Sequence, residues 1–134
     1  MFSRIYGEGQ AVVIIHGLFG MSDNWNSIGK KISDIYNVHI LDLRNHGRSF
    51  HNANFSYDDM SNDLYEYLLH HNIQKPILIG HSLGTQVILS TLEYLAKKKK
   101  NAGIVEGVYF FGASITDDVP SSKKYGKILQ NIVN

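Results

Sequence analysis

Gly80-His81-Ser82-Leu83-Gly84 is the stretch whose residue types and spacing point most directly to chemistry. An apolar run, Pro76 to Ile79, precedes it and an apolar helical pattern follows, which places the serine on a strand-to-helix turn. A serine thrust out of so sharp a bend needs an unusual backbone, and side chains two positions away on either side would collide, so glycine stands at both. The helix behind it aims its first amides at the serine and favours negative charge there. Ser82 is therefore the candidate nucleophile, and the Leu83 N–H a candidate donor to a developing oxyanion. His16-Gly17-Leu18-Phe19-Gly20 closes another apolar run. A glycine-bearing loop there supplies a second donor, the Leu18 N–H, with the Phe19 N–H as the alternative. The competing reading makes Ser82 the N-cap of a helix in a nucleotide-binding or structural α/β domain, but no dinucleotide-binding fingerprint accompanies it.

These residues need elements to hold them. Four apolar, β-rich runs, 11–15, 38–41, 76–79 and 104–111, each end at a polar residue or glycine. Their continuous apolarity predicts strands covered on both faces, and their alternation with helical patterns predicts an α/β fold with a largely parallel sheet. Trp25, Ile28, Ile32 and Ile35 mark a first helix capped at Ser22 or Asp23. Ser56-Tyr57-Asp58-Asp59 is a capping box opening a second helix, with Met60, Leu64, Tyr67 and Leu68 on one face. A third helix begins near Ser82 and carries Val87, Ile88, Leu89, Leu92, Leu95 and Ala96 inward. It ends in Lys97 to Lys100, cations that suit the negative end of a helix dipole and read as a solvated face.

Composition excludes several classes. At 134 residues the chain is one domain's worth, and a net charge of +1 offers no global attraction to nucleic acid or an anionic membrane. With no cysteine there is no disulfide framework, thiolate metal site or cysteine nucleophile. No apolar run approaches the ~20 residues that span a bilayer, and the N-terminus has no secretory-signal pattern, which predicts a cytoplasmic location.

Residues 5–82 resemble the α/β-hydrolase superfamily, and in particular its small esterase and acyltransferase branch. The resemblance lies in His16-Gly17-Leu18-Phe19-Gly20-Met21-Ser22-Asp23-Asn24-Trp25, Asp42-Leu43-Arg44-Asn45-His46-Gly47-Arg48-Ser49 and Gly80-His81-Ser82. Further on, 107–114 is closer to lipase-like members of the same superfamily. The resemblance implies a three-layer sandwich in which the first and third apolar strands are neighbours, bringing the Leu18 loop beside Ser82. It also implies a small-molecule ester substrate, an acyl-serine intermediate, and no metal or organic cofactor. His16, Gly17, Phe19 and His81 would line the substrate pocket, while Asp42 and Arg44 would hold their loop.

The pattern then breaks. Such a hydrolase orders its triad as serine, acid, histidine, yet all seven histidines (16, 39, 46, 51, 70, 71 and 81) precede Ser82. His81 shares the turn with the serine and its ring should point elsewhere; His70 and His71 close the second helix. His46 and His51 lie on a loop near the catalytic edge and are the candidates for a substitute base. Asp117 and Asp118 are the only acids after Glu106 and read as an exposed turn before Pro120. The expectation is the N-terminal half of a hydrolase domain, without lid or C-terminal strands, with 132–134 opening a strand cut short. The run 104–111 would be left as an uncovered sheet edge, a site for self-association. The alternative is a non-catalytic binding module or an inactive fragment of the same fold.

Overall fold

The computed structural model describes residues 1–97 and 105–112. Strands Ser3–Tyr6 (β1), Gln10–Ile15 (β2), Tyr36–Leu41 (β3), Ile77–His81 (β4) and Gly107–Phe111 (β5) form one sheet in the order β1-β3-β2-β4-β5. β2 to β5 are mutually parallel, and β1 lies antiparallel on β3, pairing Ser3 with Leu41 through Tyr6 with Val38. β1 is an addition to the sequence reading: four mixed residues with no buried position carry no apolar signal, and pairing alone makes them a strand.

The helices are Asn26–Ile32 (α1), Tyr57–His70 (α2) and Leu83–Lys97 (α3). α2 follows its sequence signature closely. The Ser56 Oγ accepts the Asp59 N–H at 3.1 Å, Asp59 Oδ2 accepts the Ser56 N–H at 3.1 Å, and Met60, Leu64, Tyr67 and Leu68 are all buried. In α3, Val87, Ile88, Leu89, Leu92 and Leu95 are buried while Ala96 is exposed. α1 departs from expectation. Ser22 and Asp23 sit inside a 3-10 turn, Ser22–Trp25, and cap nothing; the turn is opened by Met21, whose N–H donates to Asn24 Oδ1 at 2.8 Å. The Ser22 N–H is drawn instead to the Asp42 carboxylate. Ile35 lies beyond the helix end and is 69% exposed.

Side chains alternate across β2 and explain its unbroken apolarity. Val12 and Ile14 join Val38 and Ile40 under α1, with Trp25 and Ile32 packed on them. Val13 and Ile15 join Leu41 and Leu78 under α2 and α3, through Leu64, Tyr67, Val87, Ile88 and Leu92. Among the described residues the result is three layers, with one helix on one face and two on the other. On the α1 side of β5, no helix among the described residues covers Tyr109 and Phe111, which are in register with Ile79 and His81 and are 58% and 51% exposed. No helix among the described residues is long and apolar enough to cross a membrane. Ile104, Lys98 to Lys100, Asp117, Asp118 and residues 132–134 lie outside the described residues.

β2 pairs with both β3 and β4, so the chain leaves β2 for α1 on one face and leaves β4 for α3 on the other. The carboxyl ends of β2 and β4 are thus the switch point at which open α/β sheets bind ligands. The two sequence segments first singled out meet there.

Candidate active site

Ser82 joins β4 to α3 with a φ of +49°, a left-handed backbone that costs a non-glycine residue about 1–3 kcal/mol unless its surroundings over-determine it. Several contacts do so. The Ser82 N–H donates to the Phe111 carbonyl at 3.0 Å, the Ser82 carbonyl accepts the Thr85 N–H at 3.0 Å, and the Thr85 hydroxyl donates to the Gly80 carbonyl at 3.2 Å. The flanking glycines are required by space. A Cβ on Gly84 would sit 2.2 Å from the Ile15 carbonyl oxygen, and one on Gly80 would sit 2.8 Å from both the Thr85 nitrogen and Ile88 Cδ1. Ser82 itself is exposed. Leu83 opens α3, where an amide has no intrahelical acceptor and the helix dipole favours an anion.

The loop after β2 presses against this turn. A Cβ on Gly17 would lie 3.3 Å from Ser82 Cβ and 2.8 Å from His81 Nδ1. The loop is pinned internally by the Gly20 N–H on the Gly17 carbonyl, at 2.9 Å. Leu18 is half-exposed, and its N–H has no acceptor among the described residues. The Phe19 N–H, the alternative donor, is already committed to His46 Nε2 at 3.1 Å. A cavity of about 260 Å3 opens beside the turn, lined by His16, Gly17, Leu18, Trp25, Ile28 and His81 among others. Phe19 is not part of that lining; its ring is 92% exposed. A larger hollow of about 510 Å3, bounded by Asp58, Ser61, Ser90 and Glu93, lies between α2 and α3, and none of the strand-end residues line it.

The loop after β3 is structural. Asp42 is buried, its carboxylate accepting the Ser22 N–H at 2.5 Å and the Arg48 N–H at 2.9 Å. Gly47, at φ +51°, leaves that carboxylate room, since a Cβ there would meet Asp42 Oδ2 at 2.2 Å. Arg44, also buried, grips Asp63 of α2 through two bonds of 2.6 and 2.8 Å and donates to the Asn54 carbonyl at 2.7 Å. Loop and helix are thereby locked together.

The histidines sort by their partners. His16 is buried, with Nε2 accepting the Leu43 N–H at 3.0 Å and Nδ1 2.7 Å from the Gly17 carbonyl; burial lowers its pKa. His46 is likewise filled on both nitrogens, by the Phe19 amide and the Arg44 carbonyl, so it has no free nitrogen to serve as the substitute base. His39 lies between Tyr67 and Asn37. His70 and His71 end α2, and His51 is exposed on the loop. The His81 ring turns toward Trp25, 5.9 Å away, on the α1 side. The hydrogen-bonding of His16 and His46 was not apparent from sequence, because each accepts a backbone amide 27 residues away.

Residues 10–131 match the family described as the alpha/beta hydrolase fold. The chain belongs to this family. Among its relatives, the ethanol acetyltransferase 1 of Hanseniaspora uvarum is 32% identical over 131 residues, covering 96% of this chain and 38% of the relative. An sn-1-specific diacylglycerol lipase of Danio rerio is 40% identical over 87 residues, 63% of this chain and 27% of the relative. A solved esterase of a marine microorganism superposes with a TM-score of 0.75 at 33% identity, covering 95% of this chain and 48% of that one. This alpha/beta hydrolase chain thus spans about half of that structure and well under half of the length of the relatives it matches. Hydrolase structures of 16–22% identity, an epoxide hydrolase among them, share the fold alone.

Proposed function

We propose that residues 1–134 are the nucleophile-bearing part of a serine hydrolase that acts on ester bonds through an acyl-serine intermediate. The observation that carries this reading is the left-handed backbone of Ser82 at the strand-to-helix turn, with the Gly17-Leu18 loop packed against it. In this mechanism Ser82 Oγ attacks the ester carbonyl carbon while its proton passes to a base. The carbonyl oxygen becomes an oxyanion held by the Leu18 and Leu83 N–H groups, and collapse expels the alcohol with a proton. Water or a second alcohol then attacks the acyl-serine, so the hydrolysis and acyl transfer named for its relatives share the first half-reaction. His16, Gly17 and His81 wall the cavity into which the substrate enters.

In this reading none of His16, His39 and His46 is the base, because each has both ring nitrogens engaged. That engagement is also what favours the second reading, a binding module that keeps the fold without the triad. Fluorophosphonate labelling separates the two. The nucleophile reading predicts labelling of the folded wild type and none of Ser82→Ala; an unlabelled but demonstrably folded wild type would contradict it and favour the module.

A further inference from the structure

Two buried histidines that the acyl-transfer chemistry does not use flank the loop carrying Leu18. His46 Nε2 lies 3.1 Å from the Phe19 amide nitrogen, and its Nδ1 lies 2.9 Å from the Arg44 carbonyl oxygen. His16 repeats the arrangement with the Leu43 amide at 3.0 Å and the Gly17 carbonyl at 2.7 Å. A backbone amide only donates and a carbonyl only accepts, so these partners assign both rings. Each is neutral, carries its proton on Nδ1, and offers a lone pair from Nε2. The ring centroids are 4.9 Å apart.

The two rings fix points on either side of Leu18. His16 donates to the carbonyl of Gly17, and His46 accepts the amide of Phe19. Phe19 itself has φ +59° and a ring 92% exposed, so no packing of its own side chain keeps its backbone in the left-handed region. What holds it is the hydrogen bond to His46 together with the turn that the Gly20 N–H closes on the Gly17 carbonyl.

We propose that His46 is a positioning residue for the oxyanion loop: by accepting the Phe19 N–H it fixes the backbone that presents the Leu18 N–H to Ser82, and only its neutral ring can do so. The functional consequence rests on the Ser82 and Leu18 assignment above; the clamp itself does not. A protonated ring would turn an Nε2–H against the Phe19 N–H, donor against donor, and the loop would have to leave it. The groups around the pair set the balance. His46 and His81 lie close enough to His16 that charge on either opposes charge on it. The Asp42 carboxylate, held by the Ser22 and Arg48 amides, opposes them, and burial of His16 favours its neutral form. The Phe55 ring covers His46 at 5.9 Å, and the Arg44 guanidinium is turned away onto Asp63.

The test compares wild type, His46→Ala and His46→Gln, since a glutamine carbonyl oxygen can take the place of Nε2. Amide exchange by NMR reads the clamp directly. The Phe19 amide is expected to exchange at least tenfold more slowly in wild type and His46→Gln than in His46→Ala. Ser82 labelling by a fluorophosphonate should slow about a hundredfold in His46→Ala, the scale of an ångström's misplacement, and recover to within a few-fold in His46→Gln. A Phe19 amide that exchanges as fast in wild type as in His46→Ala overturns the clamp. So does a His46→Gln variant whose amide stays protected while its labelling is lost, since that pattern marks His46 as a base. Should wild-type Ser82 fail to label at all, the nucleophile reading falls, and the exchange pattern still decides the clamp. If His46→Ala does not fold, His46→Gln decides it: a Phe19 amide protected to within a few-fold of wild type supports the clamp, and one exchanging at least tenfold faster overturns it.

Discussion

A methyl group at position 84 would lie 2.2 Å from the Ile15 carbonyl oxygen and 2.8 Å from that of His16. Neither neighbour is a side chain that can swing aside, so the end of β2 and the start of α3 would have to part. Gly84→Ala is predicted to destabilise the fold by about 3 kcal/mol, measured by urea unfolding, as a backbone clash of this kind should. Gly107→Ala is the control: its Cβ would meet only the Tyr109 ring, at 3.5 Å, and a change below about 1 kcal/mol is expected. Equal losses in the two variants would contradict the steric account of the turn. The need for glycine here was legible in the sequence because five consecutive residues and their strand and helix neighbours form a recognisable turn, although the atoms that a Cβ on Gly84 would strike belong to the end of β2. The engagement of His16 and His46 was not legible, because their partners are backbone amides brought near only by the folded sheet, and any residue type could have supplied those amides.

At the level of elements, legibility followed how much of each signal was carried by side chains. α2 announced its start through the Ser56 and Asp59 side chains, and it begins there. The turn before α1 is opened by the Met21 backbone and the Asn24 amide, so the Ser22 and Asp23 side chains pointed to a cap that does not form. β1 was invisible because its place depends on β3 rather than on its own four residues. β5 was visible as an apolar run, and its setting carries a prediction. Among the described residues it has β4 on one side and no strand on the other, with Tyr109 and Phe111 largely exposed. We propose self-association through this edge. Sedimentation velocity should show mass rising with concentration in the wild type and less so in Tyr109→Lys, because a charge at an edge opposes pairing. A wild type monomeric at every concentration would refute it.

Across the whole molecule, the buried histidines make stability depend on acid. His39 Nδ1 accepts the Tyr67 hydroxyl at 2.7 Å, its Nε2–H donates to Asn37 Oδ1 at 2.7 Å, and burial pushes its pKa down to about 4 from 6.5. The unfolded chain takes up that proton near pH 6.5 while the folded chain resists it, so acid favours unfolding. Stability is therefore full above about pH 6.5 and declines as pH falls toward 4, by up to about 3 kcal/mol from this group. Burial lowers the pKa of His16 and His71 in the same sense. Urea unfolding at pH 7 and pH 4.5 should show a smaller loss in His39→Gln than in wild type; identical losses would contradict the assignment. The α/β class was readable because both faces of β2 are covered and its run is apolar without a break, whereas the adjacency of the two loop-bearing strands came only from the resemblance to the α/β hydrolases. That no helix among the described residues covers the α1 side of β5 was not readable, since a strand's own sequence does not say which of its faces a helix will cover. The most direct test of the central claim is a crystal structure of the protein after reaction with a small alkyl fluorophosphonate. The account predicts phosphorus bonded to Ser82 Oγ, with a phosphoryl oxygen about 3 Å from the amide nitrogens of both Leu18 and Leu83. An unmodified Ser82, or an adduct whose oxygen faces solvent away from those two amides, would contradict it.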